Sequence, residues 1–254
     1  MLELNNLNLE IAVLYCPYAN IENKTTRDVF SKLLRLKNRG YGNRHELGAL
    51  PLDANDFVAD HPLICIRDDE GNLEPVSGSK VITYDLCKYF NLEFAMESCF
   101  KKGNKEKHLQ ALSQILNDTQ SNNRTLAYHG GYTIDPKVRS DLILTEQIRE
   151  LFIGSTALYF KEHAVTDLLG LGVPKFKTEN FFYDWGYERC QENGENLEEF
   201  PLIFLPNTNG VMMHLKEYSH LTMSLAEKYK ELWNNRTKIG SPFVIPDIKQ
   251  KEAA

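Results

Sequence analysis

The feature that most constrains this 254-residue chain is a β-type run that stops on Asp-Pro and passes at once into a long helical repeat. Residues 125–162 read TLAYHGGYTIDPKVRSDLILTEQIRELFIGSTALYFKE. β-Branched and aromatic side chains fill 125–134, interrupted by Gly130 and Gly131, which predicts a strand with a bulge. Asp135-Pro136 removes a backbone donor and ends that strand. From Ser140 the apolar spacing is helical, with Leu144, Ile148, Leu151, Phe152, Leu158 and Tyr159 on one face. Ser140 is the expected N-cap, and Asp141 suits the positive end of the helix dipole. At a rise of about 1.5 Å per residue the helix runs roughly five to six turns. The first amides of such a helix lack internal partners, so the junction is suited to an anion.

The rest of the chain supplies strands and helices to pack around this unit. Residues 9–15 predict a first strand, and Thr25-Thr26 a cap for a helix over 27–38. That helix carries Arg27, Lys32, Arg35, Lys37 and Arg39, read as a solvated face or as a docking surface for an acidic carrier or phosphate. Strands are expected over 62–67 and 76–84, with a turn at 68–72 between them. Helical or irregular connections follow over 85–100 and 103–119, the second with Leu109, Leu112, Ile115 and Leu116 on one side. A strand over 165–173 precedes a helix opened by Pro174 and ending near Trp185. An acidic loop over 191–199 leads to a hairpin of 200–205 and 211–215, turning at Asn209-Gly210. Residues 216–235 then predict an amphipathic helix and a mobile tail.

Composition narrows the function classes. A net charge of −6 argues against a general nucleic-acid binder, and no run of about 18 apolar residues predicts a membrane span. The five cysteines are scattered, without C-x-x-C spacing, which fits reduced thiols rather than disulfides or zinc. The N-terminus lacks the basic-then-apolar order of a signal peptide. The expected location is therefore cytoplasmic, with no metal.

Ile134-Asp135-Pro136-Lys137-Val138-Arg139-Ser140 resembles the segment that closes the fourth strand of the GCN5-related N-acetyltransferases, the GNAT superfamily. The 181–187 segment FFYDWGY resembles the same family's F-Y-x-x-x-G-F stretch. Asp53, Asp56, Phe57, His61, Leu63, Asp69, Gly71, Gly78 and Ser79 follow a pattern similar to its N-acyl amino acid and acyl-homoserine-lactone synthases. The resemblance covers roughly 9–215. It implies an α/β fold: a mixed, V-split central sheet with helices on both faces and an added C-terminal helix, in one domain. That last helix must pack on the sheet or on a second copy in a homodimer.

The resemblance also implies an activity: transfer of an acyl group from acyl-CoA or an acyl-phosphopantetheine thioester on acyl carrier protein to a primary amine such as an amino acid. In its terms Arg139, Ser140, Asp141, Leu142, Ile143, Leu144 and Thr145 hold the thioester's anionic arm. Ser140, Leu142 and Leu144 stand where the family has glycines, and leucine denies the close backbone approach glycine allows. That favours a longer-chain or carrier-bound donor over acetyl-CoA, with a plain acetyltransferase and a non-catalytic binder as alternatives. No carboxylate lies on 125–134, which leaves His129 as the base. Tyr183 is the expected acid, one residue from the family's tyrosine position. Asp53 and Asp56 would take the ammonium or simply make turns. Tyr128, Gly130, Gly131 and Tyr132 would line the acyl site.

Overall fold

The computed structural model describes residues 9–42, 52–202, 205 and 207–246. Strand β1 (Glu10–Leu14) leads to helix α1 (Lys24–Gly42), then the one-turn helix α2 (Asn55–Val58). The antiparallel strands β2 (His61–Arg67) and β3 (Leu73–Thr83) follow. Three helices cross one face: α3 (Tyr84–Tyr89), α4 (Ala95–Lys102) and α5 (Glu106–Ser121). The expected strand–turn–helix unit is β4 (Leu126–Ile134), the short α6 (Pro136–Arg139) and α7 (Leu142–Glu162).

Strand β5 (Asp167–Gly172), a 3₁₀ turn (Pro174–Phe176) and α8 (Thr178–Trp185) come next. Short strands β6 (Glu188–Arg189), β7 (Gln191–Glu192), β8 (Glu195–Asn196) and β9 (Phe200–Pro201) precede β10 (Asn209–Leu215). The chain then forms α9 (His220–Lys228), α10 (Lys230–Asn234) and β11 (Thr237–Ile239).

Among the described residues nine strands form one mixed sheet, ordered β11-β1-β2-β3-β4-β5-β10-β6 with β9 beside β10. Period-two alternation sorts its side chains. Ile11, Val13, Ile64, Ala127, Leu168 and Met213 face α7, α8 and α9. Ala12, Leu14, Leu63 and Cys65 face α1. Leu126, Tyr128, Leu169 and Met212 pack with Phe94, Phe100 and Leu112 from the α3–α5 region.

The sheet splits in the middle. β4 and β5 pair in parallel only from Leu126↔Asp167 to Tyr128↔Leu169, and beyond that point they part. Across β4 the register with β3 jumps from Lys80↔Gly130 to Gly78↔Thr133, so Ser79 alone faces Gly131 and Tyr132. That is a bulge with Gly131 at φ +67°, a left-handed conformation that glycine reaches at low cost.

Several boundaries differ from the sequence reading, each for a local reason. Asn23, not Thr25, caps α1 by accepting from the Thr25 amide. Asp141, not Ser140, caps α7 through the Leu144 amide at 2.9 Å, while the Ser140 hydroxyl donates back to the Lys137 carbonyl. Lys177 at φ +55° separates the Pro174 turn from α8. The acidic loop contains the β7–β8 hairpin, turned by Asn193 and Gly194, both at positive φ. Asn209-Gly210 pairs with Phe200–Pro201 instead of turning; residues 203, 204 and 206 of that expected hairpin lie outside the described set. The last helix starts late, capped by Ser219, and breaks at Tyr229. Part of the tail is a strand, β11, parallel to β1.

The C-terminal helices pack within the chain, on α7. Gly154 makes this approach close: a Cβ there would lie 2.5 Å from the Leu225 carbonyl oxygen. Alanine at 154 would gain about 1 kcal/mol of helix propensity but force the helices apart, at a cost of about 1–3 kcal/mol. Packing is expected to win, so Gly154→Ala should lower the urea midpoint; a raised midpoint would refute this contact.

Candidate functional site

The split opens a cavity of about 750 Å³. Its walls come from both faces of the sheet: Tyr128 to Ile134 of β4, Leu171 and Val173 beyond the paired part of β5, Phe181 and Phe182 of α8. Its basic lining residues include Arg139, Arg149 and Lys177. Gly40 and Tyr41 of α1, beside Arg139, and the Asp53 and Lys80 pair also line it. A third stretch is mainly apolar, including Leu92, Ala95, Cys99, Leu202 and Leu205.

Beneath the bulge lies a buried charge cluster. The Asp56 carboxylate, without solvent exposure, sits between the ammonium groups of Lys37 and Lys80. Lys80 also reaches the half-exposed Asp53 carboxylate at 2.7 Å. Burial raises the Asp56 pKa, but the two lysine charges outweigh it and hold the group well below the usual carboxylate range. Lys80 is raised: burial opposes its charge, and Asp56 with Asp53 more than restores it. Lys37 is lowered, first by burial and then by the charge of Lys80. Its ammonium lies 3.3 Å from where a Gly131 Cβ would be.

His61 extends the cluster. Its Nδ1 faces the Ser79 carbonyl at 3.1 Å and its Nε2 the Asp56 carbonyl at 2.8 Å. Two acceptors suit an imidazolium, yet burial and the Lys37 charge prevail and depress the pKa to about 4.

The structure separates the expected site residues. Asp53, Tyr128, Gly130, Gly131, Tyr132 and Arg139 line the cavity. Asp56 does not; it is the buried counter-ion behind Lys80. His129 contributes to the wall, but strand alternation turns its ring to the α7 face. There Phe152, Phe160, Phe182 and Trp185 surround it. Its Nε2 is 3.0 Å from Ser79 Oγ, its Nδ1 3.3 Å from the Tyr187 hydroxyl, and burial depresses its pKa to about 3. The imidazole is thus a packed core group.

Tyr183 is 43% exposed and off the cavity wall. A shift of one residue on a helix is a rotation of about 100°, and it is Phe181 and Phe182 that face the cleft. Of 139–145 only Arg139 reaches the wall. The Leu144 and Thr145 amides are taken by Asp141, leaving those of Leu142 and Ile143 in the first turn. Leu144 is core, whereas Leu142 and Ile143 are 81% and 75% exposed.

Lys37, Arg149 and Tyr41 were not anticipated. Lys37 had a legible signal: it falls on the apolar stripe of Val29, Leu33, Leu36 and Gly40 rather than on the charged face. Arg39 also turns inward, binding the Asp135 carboxylate at 2.7 Å. Among the described residues no group of three or more His, Cys, Asp or Glu could hold a metal, and no helix is long and apolar enough to cross a membrane.

Comparison with solved structures bears on the fold. The CoA-dependent acyl-homoserine lactone synthase BjaI, solved with SAM and isopentyl-CoA, matches at TM-score 0.51 and 8% identity, over 97% of this chain and 100% of its own. The fold is that of the GNAT acyltransferases. FeeM, an N-acyl amino acid synthase from uncultured soil microbes, matches at TM-score 0.46 and 11% identity, over 91% of this chain and 96% of its own. The Drosophila melanogaster polyamine N-acetyltransferase matches at TM-score 0.44 and 12% identity, over 82% and 100%. No protein-family profile and no curated protein sequence matches the chain. Within the GNAT fold, the parting of β4 from β5 is the feature that creates the cavity described above.

The buried groups make two predictions. Asp56→Asn strands the Lys37 charge and should cost about 3–5 kcal/mol by urea unfolding. Asp53→Asn, at a half-exposed pair, should cost less than about 1 kcal/mol. Equal losses would contradict the distinction.

The second concerns pH. Unfolded histidine titrates near 6.5, so what His61 and His129 contribute by staying neutral is fully present above about pH 6.5. It is lost as pH falls toward about 4 and about 3. Asp60, pushed up to about 6 by burial, acts in the opposite sense: its share is present below about pH 4 and lost as pH rises through 6. Two groups outweigh one, so the urea midpoint should drop between pH 7 and 4.5; a flat profile would refute the neutral assignments.

Proposed function

We propose that this protein is an N-acyltransferase that moves an acyl group from a thioester to a primary amine by direct attack. The observation that carries the reading is the cavity at the β4–β5 split, lined by the cations Arg139, Arg149 and Lys177 and by the Asp53 carboxylate. BjaI, which shares the fold, is CoA-dependent and was solved with isopentyl-CoA. In this reading the phosphate-bearing arm enters past Arg139, Arg149 and Lys177, and the carbonyl lies at the bulge. The acyl chain runs along Leu92, Ala95, Leu171 and Leu205. Asp53 takes the ammonium and receives its proton, directly or through water, in place of a base on β4. The amine nitrogen then bonds to the carbonyl carbon and loses its second proton to water, the C–S bond breaks, and the thiolate picks up a proton from solvent.

The donor we favour is an acyl chain on a carrier protein. Leu142 and Ile143 stand exposed at the start of α7, one turn from Arg139 and beside the exposed Lys137. An apolar pair edged by cations suits an acidic protein surface. Asp141, by contrast, already meets the positive end of the α7 dipole and disfavours a second anion there.

Free-thiol release tests this with decanoyl carrier protein, decanoyl-CoA and acetyl-CoA, each with a panel of amino acids and polyamines. The decanoyl carrier protein should give the highest kcat/KM. A preference for acetyl-CoA would make the protein a plain acetyltransferase, and binding without any turnover would make it a non-catalytic thioester binder. With a working acceptor, Asp53→Asn should raise the amine KM by about tenfold, roughly 1.4 kcal/mol of lost attraction. An unchanged KM and kcat would remove Asp53 from the site.

A further inference from the structure

A tyrosine on the cleft wall has no part in the scheme above. Tyr128 is only 6% exposed, and among the described residues its phenol oxygen has no hydrogen-bond partner. Tyr128 is also the last β4 residue paired with β5, opposite Leu169, so it stands at the fork of the split. Its ring lies over Gly130: a Cβ at 130 would overlap the phenol oxygen and the ring carbon that bears it. Phe94 packs edge-on against the ring, with centroids 6.2 Å apart, and helps fix it. The hydroxyl is therefore held above the bare backbone of the bulge, on the cavity wall.

We propose that the Tyr128 hydroxyl donates a hydrogen bond to the carbonyl oxygen of the bound thioester and stabilises the negative charge that develops there during acyl transfer. The inference rests on the acyltransferase reading. As the C–N bond forms, the carbonyl π pair moves onto oxygen, where the phenol O–H meets it. When the C=O bond reforms, the C–S pair leaves on sulfur and the phenol has kept its proton.

Two facts favour a hydrogen-bond donor over an acid for the leaving thiolate. Burial raises the Tyr128 pKa well above 10, so the group stays protonated as a donor. A thiol titrates near 8.5, and proton transfer to it from such a phenol would run uphill. A preorganised donor at an oxyanion needs no transfer and typically contributes about 10²–10³ in kcat.

The test uses the full chain with Tyr128→Phe, which keeps the ring and its packing. With the best donor and acceptor found by thiol release, kcat should fall about 10²-fold. Both KM values should stay within about twofold and the urea midpoint should not fall, since the hydroxyl bonds no protein group. The deficit should be the same for an alkyl thioester of N-acetylcysteamine and for a thiophenyl ester, whose leaving group is much less basic. Gly130→Ala should displace the ring, lower kcat similarly, and add little further loss when combined with Tyr128→Phe.

An unchanged kcat, or a deficit that disappears with the thiophenyl ester, would overturn the donor role; so would full additivity of the two substitutions. A wild-type protein that turns over no thioester would instead remove the acyltransferase reading itself. That failure is distinct, because it appears before any variant is compared.

Discussion

One backbone irregularity governs the molecule: the extra residue in β4 at Gly131-Tyr132. Sheet pairing on the β3 side is restored after the bulge, whereas pairing on the β5 side ends at Tyr128 and does not resume. A continuous sheet here would satisfy more backbone and leave no cavity. The left-handed conformation at Gly131 makes the bulge cheap, and the absence of a Cβ leaves room for Lys37 Nζ on one side of the strand. At Gly130 the same absence admits the Tyr128 ring. The two glycines thus have separate roles: one sets the backbone, the other makes space in the cleft.

Around that bulge the chain has placed charges in its interior, which only mutual pairing makes tolerable. Lys37, Asp56 and Lys80 come from α1, α2 and β3, and Asp53 precedes α2. Asp56 is the shared counter-ion, and removing it leaves the Lys37 charge uncompensated, so the cluster ties three elements together. Arg39 and Asp135 do the same at the other end of β4, where Asp135 also caps α6 through the Lys137 amide. The result is a rigid wall on one side of the cavity, with Asp53 its partly solvated member. On the other side Phe181 stacks on Tyr132, with centroids 4.7 Å apart, and Phe182 lies over Gly170. Aromatic packing there resists closure of the gap.

The unit 125–162 was legible because local chemistry decides it: β-branched residues, Asp-Pro, then a 3.6-residue repeat read the same way in isolation and in the fold. The split sheet came from resemblance rather than periodicity, since no spacing rule says where two parallel strands part. Side-chain direction at the site was the weak point. His129 and Tyr128 are adjacent and both titratable, and only the register of β4 decides that the first enters the aromatic core and the second the cleft. Tyr183 was misplaced for the helical version of the same reason. Lys37 was hidden because a lysine among basic neighbours reads as surface, although its step on the apolar stripe pointed inward. The edge strand β11 and the kink at Tyr229 depend on tertiary contacts that no short window contains.

The central claim is that a thioester occupies the gap between β4 and β5, and amide hydrogen exchange with a decyl-CoA thioether, which cannot react, tests it most directly. Exchange is predicted to slow in two separate stretches that line the cavity, 128–134 and 171–182, with little change in the β7–β8 hairpin or in β11. Slowing confined to other elements, or none at saturating thioether, would contradict it.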